Sequence, residues 1–243
     1  MMNSPKNASS NLFALHGFLG HPADWKMFDT INIPLSIEQE ELDFWTWSRS
    51  FNSAIPRNTG QQNILLGYSL GGRLAMHALI SKPDLWDAAI LISAHPGLDS
   101  PIEQTARLKN DQWWAKRFLE DPWDPLMHDW NTQAVFGGRP SLFSRFESAF
   151  NREKLSKQLI NWSLGNQELL LNRLSKLPLP ILVLAGELDP KFCAIADQFK
   201  DFATVSIIPD AAHRLPWEKP KKFMKEVNKF CHENRLPLIS ANL

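Results

Sequence analysis

The chain has 243 residues, 44% hydrophobic and 21% charged, and its 26 basic residues balance 26 acidic ones. That composition excludes intrinsic disorder, and the balanced charge argues against a general nucleic-acid or anionic-membrane surface, leaving only local basic pockets. The two cysteines, Cys193 and Cys231, are too few for a disulfide framework or a four-cysteine zinc site, and read as reduced packing residues.

Residues 1–11 are polar, with one basic residue and no apolar h-region, so no secretory signal is expected and the location reads as cytoplasmic. The apolar runs that follow are far shorter than the ~18–20 residues of a membrane span. In chain order they are Leu12–Leu15, Asn63–Leu66, Ala88–Ile92, Ile181–Ala185 and Thr204–Ile208. Runs of four or five residues that do not alternate predict strands buried on both faces of a parallel sheet. Helical patterns lie between them, over Leu70–Ser81 and at the end over Trp217–His232. Alternating strand and helix gives an α/β class with helices on both faces of the sheet. Ligands of such sheets bind at the carboxyl ends of the strands.

Residues 98–177 carry no clear strand, many charges, and Trp113, Trp114, Trp123, Trp130 and Trp162. This stretch reads as a helical lid inserted into a core made of 1–97 and 178–243. Most of its tryptophans are expected to pack and one or two to face a substrate.

Gly67-Tyr68-Ser69-Leu70-Gly71-Gly72 stands between a predicted strand and a predicted helix. It matches the G-x-S-x-G nucleophile elbow, in which small neighbours let the serine hydroxyl project at a helix N-terminus. The partners of such a serine follow in the order acid, then histidine. Asp189 follows the Ile181–Ala185 run and His213 follows the Thr204–Ile208 run. His213 would deprotonate Ser69 while Asp189 orients the ring. Asp210 is a rival acid in the same loop as His213. The remaining candidates have bland readings: His16 and His95 as hydrogen-bonded loop residues, His77 as a helix-surface residue. In this α/β-hydrolase fold the loop after the first strand supplies one oxyanion-hole N–H and the residue after the serine the other. Phe18 and Leu70 are therefore the expected donors.

A triad and an oxyanion hole define a reaction site that serves acyl transfer, carbon–carbon hydrolysis or proton abstraction beside a carbonyl. Arg73, one helical turn beyond Ser69, either reaches the pocket floor as a carboxylate clamp or stays an exposed helix arginine. Tyr68, the sole tyrosine, is either pocket wall or core. No H-x-x-x-H or similar metal-ligand spacing occurs, and neither metal nor organic cofactor is expected. A serine hydrolase of esters, thioesters or diketones would use the same triad covalently. A non-enzymatic receptor on this fold would normally have a broken one.

Leu15-His16-Gly17-Phe18-Leu19-Gly20, Gly67 through Arg73, His95-Pro96-Gly97-Leu98 and Gly186-Glu187-Leu188-Asp189-Pro190-Lys191-Phe192 resemble the 2-succinyl-6-hydroxy-2,4-cyclohexadiene-1-carboxylate synthase family. So does the stretch with Arg107, Asp111, Trp114-Ala115, Phe118, Trp130, Gln133 and Val135-Phe136. The resemblance implies a menaquinone- or phylloquinone-pathway lyase that expels pyruvate from an enolpyruvyl cyclohexene tricarboxylate. It implies Arg73, Arg107 and Arg152 as carboxylate ligands, with Trp130 and Gln133 as lid contacts. It also implies a small-molecule partner, with no nucleic acid or membrane, and a monomer or small homo-oligomer. Ser69, activated by His213, would take the proton α to the succinyl ketone, or His213 would take it through water.

Overall fold

The computed structural model describes residues 9–35, 43–57 and 60–242; most of the polar N-terminal stretch therefore lies outside the described residues. Six strands form one sheet: β1 Ser9–Leu15, β2 Ile31–Ile33, β3 Gln61–Tyr68, β4 Ala88–Ile92, β5 Ile181–Gly186 and β6 Thr204–Ile208. Their order is β2-β1-β3-β4-β5-β6 and every pairing is parallel. The five strands expected from the apolar runs are present. The edge strand β2 was not expected, because three residues carry no usable pattern. β6 departs from the expectation of burial on both faces: it is the other edge, and Ile207 is 40% exposed.

Helices cover both faces, as α1 Phe44–Ala54, α2 Leu70–Ser81, α7 Pro190–Asp197, α8 Leu215–Glu218 and α9 Pro220–Glu233. The predicted terminal helix is in fact two, because Pro220 has no N–H to continue a helix and opens α9 instead. In the central strands the side-chain period of two sends alternate residues to opposite faces. Leu65, Ala89 and Leu91 pack with α1, α2 and α7. Ile64, Leu66, Ile90 and Ile92 pack with Phe223, Val227 and Phe230 of α9, whose spacing of three and four builds one apolar stripe. Each such large side chain contributes about 1.5–3 kcal/mol by leaving water.

Between β4 and β5 the chain makes a helical excursion: α3 Pro101–Glu120, α4 Trp123–Asn131, α5 Arg152–Asn161 and α6 Leu171–Leu174, joined by short 3₁₀ turns. It has its own apolar cluster around Trp114, Phe118, Trp123, Leu126, Leu155 and Leu159. The excursion leaves and returns through a closed neck. Leu170 N–H donates to Pro96 O at 2.7 Å and Gln167 Nε2 to His95 O at 3.0 Å. Gly97, at φ +120°, passes so close that a Cβ there would sit 2.2 Å from Glu168 O.

Candidate active site

The sharp turn between β3 and α2 places Ser69 at φ 53° and ψ −113°, a costly conformation for a residue with a side chain. Close packing holds it there. A Cβ on Gly67 would meet Gly71 O at 2.6 Å, and one on Gly71 would meet His16 O at 2.4 Å. The Ser69 side chain does not cap α2. It meets the ring of His213 instead, with 3.1 Å between Oγ and Nε2.

His213 comes from the loop after β6, and Asp189 from the end of β5. The His213 Nδ1–H donates to Asp189 Oδ2 at 2.9 Å, which leaves Nε2 as the acceptor for the serine hydroxyl. Asp189 is 1% exposed, and its other oxygen accepts from Phe192 N–H at 3.3 Å. Ser93 Oγ donates to His213 O at 3.1 Å and so pins the loop that carries the ring. Asp210, the rival acid, is directed outward and pairs with Arg139 and Lys219. Lys219 and Arg139 hold its carboxyl below the ordinary range.

Ser69 and His213 open into a cavity of about 360 Å³. Phe18 and Tyr68 line it, as do Arg73, Arg107, Trp130 and Gln133. Leu70 is buried as the first residue of α2, where a helix leaves N–H groups without intrahelical partners. Tyr68 packs its ring 5.5 Å from that of His213, and deep burial drives its hydroxyl pKa far up. Of the five tryptophans in the helical excursion, Trp114 and Trp130 line the cavity, Trp123 and Trp162 are buried in packing, and Trp113 is exposed.

Arg73 takes the pocket alternative. Its Nη1 donates to Trp162 O at 2.8 Å. Burial, reinforced by the nearby Arg107 charge, pushes its pKa down to about 9, which still leaves a cation at neutral pH. Arg107 is held through Nε by both oxygens of Asp111, at 2.8 and 2.9 Å. Asp111 is buried and also accepts from Ser163 Oγ at 2.7 Å.

Two expectations need correction. Arg152 does not line the cavity: it donates to the carbonyl oxygens of Phe118 and Asp121 at the end of α3 and pairs with Glu147. The position is a favourable one for a cation, since a helix C-terminus carries partial negative charge. His77 is not a surface residue either. It is 1% exposed, stacks on Phe44 at 4.5 Å and donates from Nδ1 to Arg73 O at 2.8 Å. Burial lowers its pKa to about 4. His16 is a hydrogen-bonded loop residue as expected: Nδ1 donates to Gly17 O and Nε2 accepts from Leu35 N–H. His95 bonds Gly97 N–H through Nδ1 and also lines the cavity.

Sequence reasoning missed three further cations on the cavity wall: Arg145, Lys191 and Arg214. Lys191 stands two residues after Asp189 and Arg214 directly after His213, so adjacency to the triad was a usable signal. Arg145 lies in an irregular stretch with none. Its guanidinium makes a two-pronged pair with Asp24, at 3.0 and 2.6 Å. Among the described residues no group of three or more His, Cys, Asp or Glu could hold a metal ion, and no helix is long and apolar enough to cross a membrane.

Residues 16–220 match the family model of the alpha/beta hydrolase fold. The 2-succinyl-6-hydroxy-2,4-cyclohexadiene-1-carboxylate synthase of Pectobacterium atrosepticum is 32% identical over 238 residues, covering 90% of this chain and 92% of the relative. The synthase of the same name from Serratia proteamaculans is 29% identical over 90% of this chain and 92% of its own length. MenH from S. aureus superposes with a TM-score of 0.80 at 21% identity, over 95% of this chain and 96% of that one. A thermophilic esterase superposes with a TM-score of 0.62 at 19% identity, over 95% and 91%. At such identities the superpositions establish the fold alone, while the sequence relatives go further. The chain is an enzyme of the alpha/beta hydrolase fold and belongs, within that fold, to the 2-succinyl-6-hydroxy-2,4-cyclohexadiene-1-carboxylate synthase family.

Proposed function

We propose that this enzyme is a carbon–oxygen lyase that eliminates pyruvate from 2-succinyl-5-enolpyruvyl-6-hydroxy-3-cyclohexene-1-carboxylate to give 2-succinyl-6-hydroxy-2,4-cyclohexadiene-1-carboxylate. The observation that carries the reading is a Ser69–His213–Asp189 hydrogen-bond chain opening into a cavity lined by several cations. A neutral ester has no use for those charges, whereas a tricarboxylate needs paired cations once it leaves water. The names of the sequence relatives support the same reaction.

In this mechanism the proton α to the succinyl ketone passes to His213, through the Ser69 hydroxyl or a water. The negative charge moves to the ketone oxygen, where the N–H groups of Phe18 and Leu70 stabilise it. When the enolate collapses, a carbon–carbon double bond forms in the ring and the carbon–oxygen bond to the enolpyruvyl group breaks. The departing enolate of pyruvate takes a proton and leaves as pyruvate. Arg73 and Arg107 hold carboxylates, Trp130 and Gln133 contact the substrate from the helical excursion, and Tyr68 forms the wall beside the serine. In this reading the excursion, residues 98–177, is a lid, and a cytoplasmic location belongs with it. The direct test is to incubate the enzyme with the enolpyruvyl substrate and follow pyruvate. Stoichiometric release without a covalent intermediate on Ser69 is expected. A trapped acyl ester with a product burst would replace the lyase with a hydrolase.

A further inference from the structure

Positive charge in the cavity falls into two groups. Arg73, Arg107 and Lys191 form one, in which the Arg107 charge acts on both neighbours. Arg214 is held elsewhere, by Asn131 and the Phe136 ring, whereas Arg73 is held by Trp162 and Arg107 by Asp111; the other cation that acts on it is Arg145. Arg145 is satisfied by its two-pronged pair with Asp24. Arg214 is not satisfied in that way. Its residue is 9% exposed, and its guanidinium carbon lies 3.7 Å from the centre of the Phe136 ring, which fixes the plane of the fork. Nη2 donates to Asn131 Oδ1 on α4. The nearby carboxylate, Glu218, is taken up by the backbone N–H groups of Ala212 and Arg214 at 2.7 and 3.0 Å. Nη1 is buried and has no hydrogen-bond partner.

A buried guanidinium N–H left unmade costs the full desolvation of a charged donor. Such a group calls for an explanation, and Arg214, unlike the buried and partnerless Trp25 and Trp86 indoles, is a charged donor on a residue of the cavity wall. We propose that Arg214 is a specificity-determining residue whose Nη1 binds a carboxylate of the substrate at a subsite distinct from Arg73 and Arg107. The inference rests on the tricarboxylate reading above. It assigns Arg214 to the carboxylate of either the succinyl arm or the departing pyruvyl arm. Because Arg214 directly follows His213, a carboxylate bound there also sets how the substrate lies against the general base. The competing role is a strut that ties α4 to the histidine loop through Asn131.

The test compares wild type with Arg214→Gln, Arg214→Lys and Asn131→Ala, each checked for an unchanged melting midpoint. Pyruvate release is followed against substrate concentration, and succinate and pyruvate are titrated separately by tryptophan fluorescence. Arg214→Gln should raise KM by roughly 10–100-fold with a smaller change in kcat, and lysine should restore part of it. Asn131→Ala, which keeps Nη1, should leave KM within about threefold. Weaker binding of succinate alone assigns the succinyl arm, and weaker binding of pyruvate alone the departing arm. If Asn131→Ala reproduces the Gln loss, or if neither KM nor either titration changes in Arg214→Gln, the carboxylate role is overturned. Should wild type release no pyruvate at all, the lyase reading fails. The two titrations then still decide whether Arg214 binds an organic acid.

Discussion

The floor and the roof of the cavity are built by different means. The floor, at the carboxyl ends of β1, β3, β4, β5 and β6, is fixed by backbone: a strained serine, glycines in contact with carbonyls, and loops tied by main-chain bonds. The roof, contributed by α3 and α4 and the irregular chain after them, is fixed by side chains. Arg107 holds Asp111, Arg145 reaches across to Asp24, and aromatic rings fill the gaps. Reaction geometry tolerates little displacement, so it belongs on the rigid sheet. Recognition of charge depends on which side chains meet the ligand, so it can reside on an excursion free to change sequence.

The largest expected effect breaks the floor alone. Ser69→Ala, His213→Ala and Asp189→Asn should each lower kcat by about a thousandfold or more, with double variants scarcely worse than singles because the three act as a unit. Substrate affinity, which the proposal assigns to the cavity cations and not to the triad, should persist in fluorescence titrations. Near-normal turnover in His213→Ala would remove the site. Next come the cations. Arg73→Ala or Arg107→Ala should cost about 2–4 kcal/mol in kcat/KM for the tricarboxylate, by analogy with truncating one partner of a buried charge pair. Any neutral-ester cleavage should survive, and normal handling of the tricarboxylate by both variants would defeat the acidic-substrate reading.

Acid should sharpen the contrast further. His16 and His95, in the loops after β1 and β4, and His77, within α2, are held by burial near pKa values of about 4, 3 and 4, against an ordinary 6.5. Between those values and 6.5 the unfolded chain binds protons that the folded chain does not. Stability is therefore whole above about pH 6.5 and falls as pH drops towards 4, at up to about 1.4 kcal/mol per pH unit for each histidine. Urea midpoints from pH 7 to pH 4 check this, and His77→Gln should flatten the slope. A midpoint independent of pH would contradict the burial of these rings. The smallest effect concerns the rival acid. Asp210→Asn should change kcat by less than about twofold, since its carboxyl serves Arg139 and Lys219 on the surface. A loss as large as that of Asp189→Asn would exchange their roles.

The floor was legible in the sequence because its chemistry sits one to five residues beyond apolar runs that announce strands. Ser69, Asp189 and His213 lie in such places, and hydrogen bonds join them. The roof was legible only in outline. Arg145 occupies a stretch without periodicity, so nothing in its neighbours indicates that it turns inward. Arg152 occupies an equally uninformative stretch, and its guanidinium instead serves the carbonyl end of α3. The burial of His77 is not legible in the sequence, because it is Phe44 of α1, a helix that no neighbouring apolar run announces, that covers the imidazole. Arg214 was in plain sight next to the histidine, but a sequence does not reveal that one of its prongs lacks an acceptor.

The closed neck of the helical excursion has a consequence for how this enzyme could diversify. The chain leaves the sheet after Ile92 and re-enters it at Ile181, and between those points one main-chain hydrogen bond ties Leu170 to Pro96. Closing a loop at fixed ends becomes costlier only with the logarithm of its length, about 0.6 kcal/mol per doubling. Residues can therefore be gained or lost within the excursion at little loop-closure cost to the sheet, so long as its ties to the core, such as Arg145 to Asp24 and Trp162 O to Arg73, are kept. The excursion is in effect a cartridge held by a few fixed pins. New substrates can be explored by rewriting it, while β4 and β5 keep their register and the reacting atoms keep their places.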